Sequence, residues 1–118
     1  MASLKDKGYF FITTEVGADV CNNAITEIYK EIDRLKSEPI PAEELDLVRN
    51  YLLGTFQGSL ENAFSYADKF KGIFPYGLGY DYYDRYFDTV RTISAKRLQE
   101  LANQYLNDGL LEVVVGKK

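Results

Sequence analysis

The chain has 118 residues, 46% of them hydrophobic, enough for one modest core and no more than one domain. Fourteen Lys and Arg stand against eighteen Asp and Glu, and no third of the chain is net basic, so the electrostatic footprint of a nucleic-acid or anionic-membrane binder is missing. There is no histidine and one cysteine, Cys21, which excludes His-based acid/base chemistry, Ser–His and Cys–His nucleophiles, an internal disulfide and nearly all zinc sites.

Met1–Lys7 is short and polar and does not read as a signal peptide, and no stretch approaches the roughly twenty apolar residues of a membrane span. Gly8–Glu15, GYFFITTE, is rich in aromatic and β-branched residues. It reads as a strand with Phe10, Ile12 and Thr14 on one face. From Ala18 to about Ser37 the apolar residues Cys21, Ile25, Ile28, Ile32 and Leu35 recur at spacings of four and three, one face of a helix that Asp19 is placed to cap. Pro39 and Pro41 end it. Residues 41–58 and 60–73 read as a bent helix or two successive helices, with Gly54 and Gly58 weakening the first.

Pro75–Gly79 is a turn by composition, and Tyr82–Arg91 a short helix capped by Asp81. Ser94 opens a last helix whose buried side carries Leu98, Leu101, Ala102, Tyr105 and Leu106, and Asn107–Gly109 stops it. Leu110–Val115, LLEVVV, then reads as an apolar strand, covered on both faces or lying inside a sheet. Ile25, Ile28, Ile32, Val48, Leu52, Leu98 and Leu101 are expected to form the core against Phe10 or Phe11, Ile12 and Val113–Val115.

Few constellations carry chemistry. Glu43, Glu44 and Asp46 fall in the first turn of a helix behind Pro41, where the helix dipole accounts for them. Asp81, Asp84 and Asp88 share a helix face with Arg85 between them, without the glycine-turn loop a hard cation requires. Cys21 lies on an apolar stripe with no activating base. Gly77 and Gly79 follow a helix and lack the third glycine of a phosphate loop. The one concentration left is YGLGYDYYDRYF, residues 76–87, with five of the ten tyrosines. Tyr76, Tyr80, Tyr82 and Tyr83 are the candidate wall for an extended peptide or an interface, because tyrosine offers large area at low entropy cost. The alternative is that Tyr83, Tyr86 and Phe87 simply pack one helix down.

The succession GYFFITTEV, a long helix, PIPAEELDLVRNYLLG, SLENAFSYADKF, YGLGYDYY, DTVRTISAKRLQELANQYL and LEVVVGK resembles the C-terminal part of the second, non-catalytic domain of insulinase/pitrilysin-type zinc peptidases. Mitochondrial processing peptidase subunits and bacterial putative zinc proteases are relatives within that family. The resemblance runs from about Ser3 to Lys117. It implies a two-layer α+β fold, helices on one face of a sheet that this chain leaves incomplete. Residues 1–118 would then be one partial domain whose natural start lies upstream of Met1.

The resemblance further implies an inert chain that forms part of the wall of a peptide-enclosing chamber in a bacterial zinc peptidase. Zinc, held by an inverted His-x-x-Glu-His motif, would belong to the partner domain or subunit, with no cofactor in this chain. The family's substrate-binding arginine, seven positions before a tyrosine, has no counterpart here: the residue seven before Tyr9 is Ala2. The expected partners are the catalytic peptidase domain, peptide indirectly, and a second copy through a sheet edge; nucleic acid and membrane are not expected. The alternative is a non-enzymatic assembly subunit of the same fold. The compartment stays open between bacterial cytoplasm and periplasm.

Overall fold

A computed structural model describes residues 2–3, 7–79, 81–107 and 109–116, with backbone only at 2–3. In chain order the elements are β1 (Ala2–Ser3), β2 (Gly8–Tyr9), α1 (Cys21–Ser37), α2 (Ala42–Gly58), α3 (Ala63–Ile73), a 3-10 turn (Phe74–Tyr76), α4 (Asp81–Thr92) and α5 (Ala95–Tyr105). None of these helices is long and apolar enough to cross a membrane.

Helices dominate, which corrects the expected α+β fold. The only ladder among the described residues is the two-residue antiparallel pairing of β1 with β2, Ala2 opposite Tyr9 and Ser3 opposite Gly8. That is too short a surface to carry a layer of helices. Residues 10–15 and 110–115 lie outside regular structure and are exposed throughout. Their β-branched and aromatic composition expresses a fit to a pleated surface with neighbours on both edges. No described strand supplies such a neighbour, so neither segment joins a ladder among the described residues.

The chain divides into two compact units, Met1–Phe11 with Glu43–Ile93, and Ile12–Ala42 with Ser94–Lys118. In the second unit α1 packs against α5. Ile32 on α1 and Ala102 on α5 are buried, at 5% and 8% exposure, and the small alanine lets a helix axis come close. The amides of Gln99 and Asn103 both donate to the Lys36 carbonyl, at 3.1 and 2.9 Å. Two α5 side chains thereby satisfy a last-turn carbonyl of α1 that has no partner within its own helix. Ser94 caps α5, its Oγ accepting from the Arg97 N–H at 3.1 Å, as its place before the apolar stripe predicts. Asp19 does not cap α1: the N-cap position is Val20, without a side-chain bond.

In the first unit α3 starts later than the apolar stripe suggests, because Asn62 Oδ1 accepts from the N–H groups of Phe64 and Ser65 and sets the helix origin there. Gly77 ends the 3-10 turn in the left-handed region, φ 70°, a conformation that glycine adopts without steric cost. Leu45 and Ile73 are the buried apolar side chains of this unit. The expected core is therefore smaller than its stripe. Ile25, Ile28, Leu98 and Leu101 are half-buried and only Ile32 is enclosed. Val48 and Leu52 are exposed, as are Phe10, Phe11, Ile12 and Val113–Val115, and none of these belongs to a strand among the described residues.

Candidate functional site

The tyrosine-rich segment is built on α4 and held by two neighbours. Phe56, near the end of α2, is the hub: its ring lies 4.8 Å edge-on from Phe87, 5.2 Å from Tyr83 and 6.0 Å from Tyr86. Positions 83, 86 and 87 are spaced by three and one, so all three face α2 from one side of α4. Edge-on and tilted rings at these separations place ring edges on ring faces, the favoured arrangement for aromatic pairs. Lys69 of α3 sets its ammonium 4.8 Å from the Phe56 ring centre, a cation–π contact.

Tyr83 is pinned at both ends. Its ring joins the hub and its hydroxyl donates to the Lys69 carbonyl at 2.8 Å, tying α4 to α3. Tyr82 stands beside it, half-buried, with its ring T-shaped to Tyr83 at 5.4 Å. Tyr76 is exposed on the 3-10 turn that precedes α4. Tyr80 lies outside the described residues. Of the four candidate wall residues, Tyr82 and Tyr83 are thus brought together, both half-buried, and Tyr76 is carried on the preceding turn.

Arg49 is the residue the sequence reading missed. Its guanidinium donates to the Val90 carbonyl at 3.2 Å and to the Ile93 carbonyl, and pairs with Asp46 at 2.6 Å. It therefore caps the C-terminus of α4 from α2, where the planar fork of arginine suits two carbonyls at once. The sequence signal was the Asp46–Arg49 spacing of three, which specifies a local pair but not the distant helix end.

Comparison with known proteins finds no matching family model, no similar curated protein and no similar solved structure.

The carboxylates behave as a solvated surface. Asp81 pairs with Arg85 at 3.4 Å and Asp88 with Arg91 at 3.8 Å, all four side chains well exposed. Among the described residues no three Cys, Asp or Glu are grouped to hold a metal, and Cys21 is a half-buried free thiol at the start of α1. Without an imidazole in the sequence, these residues do not fit a zinc centre. The arrangement offers contact area: an aromatic group around Phe56 with the half-buried Tyr82 joined to it through Tyr83.

Proposed function

We infer that this chain is a non-catalytic wall element of an insulinase/pitrilysin-type zinc-peptidase-like protein, contacting peptide while a partner domain or subunit holds the metal. The order of sequence segments supports the family, and the aromatic group around Phe56 supports the role. The observation that carries it is the double anchoring of Tyr83, by the Phe56 ring and the Lys69 carbonyl, with the half-buried Tyr82 ring set edge-on against it. A surface of pre-ordered tyrosines grips an extended chain at little entropic cost, since few rotamers are lost on contact.

The proposal is tested with an unfolded peptide of mixed sequence titrated into the isotopically labelled chain. Amide shifts should move along Tyr76–Phe87, and Tyr82→Ala should weaken binding about fivefold or more, as for an anchoring aromatic. Shifts confined to other elements, or none at saturating peptide, would contradict the wall role. The protein itself should leave the peptide intact and, after dialysis, carry no stoichiometric zinc by elemental analysis.

The assembly-subunit alternative is favoured by one observation, the exposed apolar pair Leu47 and Tyr51 one turn apart on α2. Loss of partner binding on Leu47→Ser with the peptide titration unchanged would select it.

A further inference from the structure

We propose that Lys7–Glu15 is a self-recognition strand that pairs antiparallel with the same segment of a second copy, centred on Phe11. This goes beyond the peptide-wall role and does not depend on it. Tyr9, Phe10, Phe11 and Ile12 are all exposed, a run of four large apolar side chains outside any helix. β1 occupies one edge of β2 over Gly8 and Tyr9 only, and from Phe10 to Glu15 no backbone partner exists among the described residues. The rings of Tyr9 and Phe11 lie 5.9 Å apart. Alternate residues thus already share a face, as in a strand.

The occupant follows from charge. Pairing two copies about Phe11 sets Lys7 opposite Glu15 at both ends of the ribbon, Gly8 opposite Thr14, Tyr9 opposite Thr13 and Phe10 opposite Ile12. One face then carries Tyr9, Phe11, Phe11 and Tyr9 between two opposite-charge pairs, and the other carries Phe10 and Ile12 across from each other. Aromatic and opposite-charge cross-strand pairs are the stabilising kinds. Sliding the partner one residue either way breaks both Lys7–Glu15 pairs and sets Phe11 against Phe10 or Ile12. Centring on Phe10 pairs Tyr9 with Phe11 but sets Gly8 opposite Ile12 and Lys7 opposite Thr13, and centring on Ile12 sets Gly8 opposite Val16 and Tyr9 opposite Glu15, so both lose the Lys7–Glu15 pairs. The two-fold solution is self-complementary and closes, so it yields a dimer and not a filament.

The test is sedimentation equilibrium of the full chain with Lys7→Glu, Glu15→Lys and the double exchange. The wild type should be dimeric at high micromolar concentration. Either single reversal creates two like-charge pairs and should weaken the dimer about tenfold, and the double exchange should return it to within about threefold of wild type. Both residues are exposed, so the fold should be unchanged by circular dichroism. In a Cys21→Ser background, Phe11→Cys should form an intermolecular disulfide on mild oxidation and Thr13→Cys should not. Only position 11 meets itself, within the roughly 4.5–5.5 Å between opposed Cα atoms. A monomeric wild type, a dimer indifferent to the single reversals, or equal cross-linking at both positions would overturn the proposal.

Discussion

Helix α5 and the segment Leu110–Val115 stand four residues apart in one unit of the chain, and their fates are opposite. Leu98, Leu101 and Ala102 turn one face of α5 toward α1, whereas Leu111 and Val115 are 88% and 91% exposed although the segment is five-sixths apolar. A helix closes its backbone hydrogen bonds within itself and needs a neighbour only for its stripe. A strand closes none without a second strand, so apolar composition alone cannot bury it. In this molecule, order follows backbone self-sufficiency more closely than it follows hydrophobicity.

The comparison is sharpest at its extremes. Ile32→Ala removes the most enclosed α1 side chain and should cost about 2–4 kcal/mol in chemical denaturation. The same truncation at Leu111 or Val115 should stay within about 0.5 kcal/mol, because nothing covers these side chains. Equal losses at the two kinds of site would break the contrast.

The next largest effect belongs to Arg49. Arg49→Met leaves the carbonyls of Val90 and Ile93 without their donor and should cost about 1–2 kcal/mol. Arg49→Lys should recover only part of it, since an ammonium cannot fork between two carbonyls. Ser94→Ala, which removes the α5 cap, should cost about 1 kcal/mol, and thermal melts of the two single variants and their double will show whether the effects add. The smallest change is a gain. Val20→Asp supplies α1 with the side-chain cap it lacks and should raise stability by about 0.5–1 kcal/mol.

What the sequence makes legible is what is local. The spacings of three and four foretell α1 and α5, Pro41 with Glu43 and Glu44 foretells the start of α2, and Ser94 its helix's origin. Each of these signals acts within a turn of its own position. The Asn62 cap is equally local, but the apolar stripe from Leu60 runs straight through it and hides it. Gly8–Glu15 and Leu110–Val115 went the other way: period-two alternation and β-branching describe a segment's fitness for a sheet, while the sheet depends on partners elsewhere. The candidate site divides along the same line. The concentration of tyrosines is plain in the sequence, but that Tyr83 is held by Lys69 and Phe56 depends on α2 and α3 meeting α4.

Amide hydrogen exchange on the monomer, at a concentration below association, tests most directly whether helices and not a sheet hold this fold. Amides in the middle of α1 and α5 should exchange slowly, through opening of the packed helix pair. Those of Val113–Val115 should exchange at nearly the rate of an unstructured peptide. Protection of Val113–Val115 equal to that of α5 would mean a hydrogen-bonded strand there, and would contradict the account.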